Sequence, residues 1–131
     1  MTDFVIIAGK KIPTILAITT DEQESGLMYK KWPPPVMSFV YATPRINKFW
    51  MKNCISPLDI VFSNKGQIIS ICAGEPNSTR VIGDDKPSDL VVEFPAGTCK
   101  AFDIRVGHTI ELEYSDDSKM KIFSIKNGFT I

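Results

Sequence analysis

Apolar residues in this chain recur at every second position in short runs, and clusters of Gly, Pro, Asn and Asp interrupt them, which is the pattern of strands joined by tight turns. FVIIA (4–8) and IPTILAI (12–18) read as two strands joined by Gly9-Lys10-Lys11, a three-residue hairpin loop with glycine free to take a positive φ. Pro13 belongs at the start or edge of its strand, because it cannot donate to a ladder. Thr20 and Asp21 followed by EQESGLMYK predict a short helix, and Pro33-Pro34-Pro35 then forces an extended loop.

The strand pattern resumes with VMSFVY (36–41), a turn at Thr43-Pro44, KFWMKN (48–53) and LDIVFS (58–63). Asn64-Lys65-Gly66 turns the chain into QIISICA (67–73). Residues 74–89 are dense in turn formers and read as a long loop. LVVEF (90–94) and HTIELEY (108–114) are further strands, with a short helix over CKAFDI between them. SDDSK and KMKIFSI (119–125) complete a last hairpin within 115–131. The expected fold is mainly β: a single compact antiparallel β barrel or sandwich over residues 1–131, with about eight to nine short strands and one or two short helices.

Strand alternation makes a specific statement about residues 48–53: Trp50 and Lys52 project together, while Phe49, Met51 and Asn53 share the other face. That leaves one lysine inside the most apolar and aromatic stretch of the chain.

A chain of 131 residues fits one domain large enough to bury a core without metal or disulfide staples. Fifteen Lys and Arg balance fifteen Asp and Glu, so no net field draws the chain to nucleic acid or to an anionic membrane. Cys54, Cys72 and Cys99 are isolated among apolar residues, as reduced core cysteines are, and favour a reducing compartment. The amino terminus lacks the basic flank and long apolar run of a secretory leader, and no stretch approaches the roughly 20 apolar residues of a spanning helix. The expectation is a cytoplasmic protein with no membrane partner.

The sole histidine, His108, has no G-x-S-x-G serine to serve and reads as a strand-start residue. Cysteine spacing excludes a structural zinc site, calcium-loop spacing is missing, and neither phosphate-loop pattern occurs, so no metal or cofactor is expected. Asp59 and Glu93 stand out because each sits inside an apolar run, LDIVF and LVVEF, where burial raises a carboxyl pKa unless a cation is near. Lys52 is the natural cation for either.

In order, GLM (26–28), MSFVY (37–41), FWMKN (49–53), PLDI (57–60), NKGQI (64–68), VVEFPAGT (91–98) and IRVGHTI (104–110) resemble the successive motifs of the domain of unknown function 192 family over about residues 12–114. The resemblance implies a mainly β domain with no established biochemical activity. Many members carry a signal peptide, unlike this chain, and Gly107-His108 stands where members more usually have Gly-Asp. Carried over, the characteristic positions are Gly26, Leu27, Met28, Phe49, Trp50, Met51, Lys52, Asn53, Pro57, Leu58, Asp59, Glu93, Pro95, Gly97 and Gly107. The apolar ones, the glycines and the prolines are core and turn residues. Trp50, Lys52, Asn53, Asp59 and Glu93 form the candidate site.

The reading is a non-enzymatic module binding a small anionic or polar ligand, with Lys52 pairing the ligand, Asn53 orienting it and Asp59 or Glu93 holding the lysine. Two alternatives stay open. One is a structural or protein-interaction domain with Lys52 in an internal salt-bridge network. The other is a glycosidase-like hydrolase with Asp59 and Glu93 flanking a cleft about 5 to 9.5 Å apart.

Overall fold

The computed structural model describes residues 1–128. Seven strands form one sheet: β1 (Asp3–Ile7), β2 (Lys10–Ala17), β3 (Met37–Ile46), β4 (Leu58–Asn64), β5 (Gln67–Gly74), β6 (Pro87–Pro95) and β7 (Ile110–Glu113). Three short helices accompany it: α1 (Thr20–Ser25), α2 (Thr98–Ala101) and α3 (Asp116–Lys126). The strand order is β5-β4-β6-β3-β2-β1-β7. The sheet curls until Gln67 bridges Thr109 near its two edges, and it stays open along the rest, an incomplete barrel rather than a closed one.

The β1–β2 and β4–β5 hairpins form as the turn residues dictate. Ala8-Gly9 (φ 48 and 82) and Lys65-Gly66 (φ 49 and 81) make two-residue turns with both positions at positive φ, the twist that matches antiparallel strands. The first loop is thus one residue shorter than Gly9-Lys10-Lys11, since Lys10 and Lys11 already pair with Ile7 and Ile6.

Several expectations are corrected. There are seven strands rather than eight or nine, and three short helices rather than one or two, because residues 48–53 and 119–125 add no strand and the latter lie in α3. The sheet is not wholly antiparallel: β2 and β3 run parallel, with Ile15 beside Met37, because residues 18–36, carrying α1 and the triple proline, bring the chain back to the starting end of the sheet. Thr43-Pro44 is no turn; β3 runs through it, and the register shift between Val40 and Arg45 accommodates the missing proline N–H. Residues 48–53 form no strand: beyond one bridge, Phe49 to Ile82, the Met51 N–H donates to Ser78, the Met51 carbonyl accepts from Cys54 across a turn, the Asn53 carbonyl accepts from Tyr29, and Asn53 leaves extended geometry at φ 61. The expected last strand is helix α3: Ser115 caps it by accepting from the Ser118 N–H, Asp116 and Asp117 occupy its first turn, and Ile122 is buried. Residues 129–131 of that expected hairpin lie outside the described residues.

Helix α1 starts where the sequence allows, with Thr19 and Glu22 forming a reciprocal capping box, and it stops at Gly26. Strands β4 and β6 are buried on both faces, so their sequences read as unbroken apolar runs rather than alternating ones. One face carries Met37, Phe39, Tyr41, Leu58, Ile60, Phe62 and Val91, covered by Leu27 and by Met51 and Cys54 of loop 47–57. The other carries Val40, Val61, Val92 and Phe94, with Val5, Ile7, Ile110 and Ile122. No helix among the described residues is long and apolar enough to cross a membrane.

Candidate functional site

The first of these faces also holds Glu93. In an antiparallel ladder, directly opposed residues share a face, and Glu93 stands opposite Met37 on β3 and Ile60 on β4. Its carboxyl therefore rises among Phe39, Gly26 and Cys54 at the bottom of a cleft of about 580 Å³, which runs between α1, β3 and residues 47–54. Thr20, Gln23 and Glu24 of α1, Tyr41 and Arg45 of β3, and Lys48, Phe49 and Trp50 also line it.

Glu93 is 3 % exposed. Burial pushes its carboxyl up from an ordinary 4.5 to about 8. Among the described residues no cation pairs with it and no donor bonds to it, and it lines the cleft. Near neutral pH the group is a carboxylic acid.

Its neighbours are held in place. Gly26 ends α1 at φ +46, where a side chain would be strained, and a Cβ there would stand 3.5 Å from Phe39 Cζ and 3.9 Å from Glu93 Oε1. Phe39 and Phe49 meet edge to face at 5.1 Å between centroids, and Phe49 meets Phe62 at 5.7 Å, which fixes the aromatic wall. Burial, followed by the nearby Glu93 charge, pushes the Cys54 thiol up to about 11. Burial likewise raises Tyr41 to about 12, Arg45 opposing and Glu93 adding to the shift. Neither is a ready nucleophile or base near neutrality.

The cations of the cleft are already engaged. The Arg45 guanidinium stacks 4.6 Å from the Tyr41 ring centroid, and its Nε donates to Asn47 Oδ1 at 2.8 Å. Asn47, itself buried, donates in turn to Ser88. Lys48 Nζ donates to the carbonyls of Gly83 and Asp84 and pairs with Asp85 at 3.2 Å.

Of the five residues singled out from sequence, the cleft brings together Trp50 and Glu93. Trp50 and Lys52 do project together, with the Lys52 ammonium 5.2 Å from the Trp50 ring centroid, but Lys52 is exposed and makes no ion pair among the described residues. An internal salt-bridge network around Lys52 is therefore absent among those residues. Asn53 acts through its backbone, its carbonyl accepting from the Tyr29 N–H at 2.8 Å. Asp59 lies on the opposite face of β4 from Ile60, where Oδ2 accepts from the N–H groups of Gly97 and Cys99 at the start of α2. It is a cap, and with Glu93 on the other face of the sheet the two carboxyls cannot flank one glycosidic bond, which removes the hydrolase reading. His108 Nδ1 accepts from the Arg105 N–H, an ordinary turn contact.

Tyr41, Arg45, Gly26 and Cys54 escaped selection as site residues. The signal for the first was present in MSFVY, whose alternation puts Met37, Phe39 and Tyr41 on one face, but nothing local says that Glu93 shares it. Gly26 stood among the characteristic positions that the resemblance carries over, but was read as a turn residue.

Among curated proteins, none matches it. A crystal structure of a protein of unknown function from Novosphingobium aromaticivorans DSM 12444 is similar at 26% identity and a TM-score of 0.74, over 85% of this chain and 84% of that one. A crystal structure of "a putative transcription regulator" from Sinorhizobium meliloti 1021 is similar at 31% identity and a TM-score of 0.75, over 84% of this chain and 91% of that one. The sequence profile of domain of unknown function 192, described as an uncharacterized ACR, matches residues 4–112, which takes in β1 as well as the motifs from GLM onward. The chain belongs to the domain of unknown function 192 family.

Proposed function

We propose that the protein is a non-enzymatic binding module for a small molecule, which it holds in the cleft between α1, β3 and residues 47–54. The observation that carries this reading is the Glu93 carboxyl, buried at the cleft floor and without a partner among the described residues. Burying such a group costs on the order of 1–3 kcal/mol when nothing bonds to it. A ligand that bonds to it recovers that cost.

The surroundings suit the task. The volume falls in the ordinary range for small-molecule sites, and the walls are aromatic with a few convergent polar groups. Trp50, half exposed at the rim, offers a flat face to whatever enters. Thiol and phenol are both pushed away from reactivity, which favours holding over chemistry. The role named for the Sinorhizobium meliloti neighbour, transcription regulation, is one in which a ligand-holding module has a use.

The test is an amide-resonance map of the protein against a library of small fragments. Binding in the cleft shifts Gly26, Cys54 and the Trp50 indole together. Shifts confined to Gly66 and Leu112, which line a second cavity of about 470 Å³, would contradict the assignment, as would no shift with any fragment.

A further inference from the structure

Resting on that cleft reading, we infer that the ligand carries a basic amine, which enters as an ammonium and seats against the Glu93 carboxyl. The inference starts from an asymmetry within the cleft. Each cation lining it already has partners: Arg45 has Asn47 and the face of Tyr41, and Lys48 has Asp85 and two carbonyls. The floor carboxyl has none among the described residues, so what the cleft lacks is a partner for Glu93.

A ligand group that only accepts, such as an ether or a ketone, takes one hydrogen bond from the protonated acid and leaves the second oxygen unsatisfied. An ammonium has three donors, can serve both oxygens, and balances the charge Glu93 takes on when it ionises, which makes its bonds charge-assisted. The walls favour the same choice. Phe39, Tyr41, Phe49 and Trp50 surround the approach with aromatic rings, whose faces attract cations, and Trp50 already holds the Lys52 ammonium in this manner. Of the cations lining the cleft, Lys48 is countered by Asp85, and the carboxylate of Glu24 lines the same cleft.

The proton balance makes the proposal specific. Free Glu93 is protonated near neutrality. Seating an ammonium ionises it, and its proton leaves to solvent; the amine keeps its own. The other titratable groups facing Glu93 are Tyr41 from β3 and Cys54 from loop 47–57, at about 12 and 11, and neither exchanges a proton in the neutral range.

The experiment is calorimetry on the full chain with benzylamine, benzyl alcohol and benzoate as probes, repeated in buffers of different ionisation heat. Benzylamine binds best and releases about one proton per molecule at neutral pH, and its affinity rises with pH until Glu93 is ionised in the free protein. Glu93→Gln weakens it by about tenfold or more and abolishes the proton release. If benzyl alcohol or benzoate binds the cleft as well as benzylamine, without proton release, the amine assignment is overturned while the cleft remains a binding site. If no probe binds at millimolar concentration, the amine assignment and the cleft reading fall together. Because proton release is read on the unmodified protein, the test does not depend on how the variant folds.

Discussion

Asp59 and Glu93 lie one register step apart on adjacent strands and point to opposite faces of the sheet: Asp59 stands opposite Phe94, and Glu93 opposite Ile60. That single step separates a structural carboxylate from a functional candidate. Asp59 spends its charge on two backbone donors of α2, and Glu93 has no such outlet.

Replacing Asp59 by Ala should therefore lower stability by about 1–2 kcal/mol, the worth of a cap, and leave cleft binding unchanged. Urea unfolding together with a benzylamine titration checks both halves. Lost binding at intact stability would contradict the division of roles.

Glu93 makes stability depend on pH in a definite direction. Burial keeps it protonated in the folded chain up to about 8, whereas the unfolded chain releases the proton near 4.5. Between those values the folded chain holds the extra proton, so this group's contribution is fully present below the lower value and is lost as pH rises to the upper one. Above about 8 the contribution is flat. The loss amounts to several kcal/mol, at about 1.4 kcal/mol per unit of pH. Glu93→Gln removes that slope, and denaturant unfolding across the range would show it; an unchanged slope would refute the assignment.

Lys52→Met should change stability by less than about 0.5 kcal/mol, because the side chain is exposed and unpaired among the described residues. Thermal unfolding decides, and a drop of many degrees would restore the idea of an internal strap.

Met51 behaves oppositely although it is Lys52's neighbour. It is wholly buried against Gly74, where an added Cβ would come within 2.6 Å of its sulfur. Met51→Ala should cost about 2–5 kcal/mol. A cost under about 1 kcal/mol would mean that loop 47–57 is not packed as described.

Much of this was legible in sequence because it is local. Turn glycines, a helix beginning near Thr20, and the lone charge in LVVEF each declare themselves within a few residues, although the cap itself is Thr19. Alternation predicts the joint projection of Trp50 and Lys52, but the chain reaches it differently: the Cys54 N–H bonds back to the Met51 carbonyl across a turn at Lys52 and Asn53, and Phe49 and Met51 bond to Ile82 and Ser78 instead of to a neighbouring strand. What stayed hidden depends on register. Whether Glu93 faces Tyr41 or Asp59 is set by which strands become neighbours, and the parallel β2–β3 pair brings α1 across the face that Glu93 shares. KMKIFSI likewise carries apolar residues that suit either period, and the Ser115 cap decided for helix.

The most direct measurement is a carboxyl-carbon NMR titration of Glu93 in the free protein. The account predicts a protonated group at neutral pH with a midpoint of about 8. A midpoint at the ordinary 4.5 would mean that the carboxyl already has a partner or lies open to water, and the case for a ligand at the cleft floor would be lost.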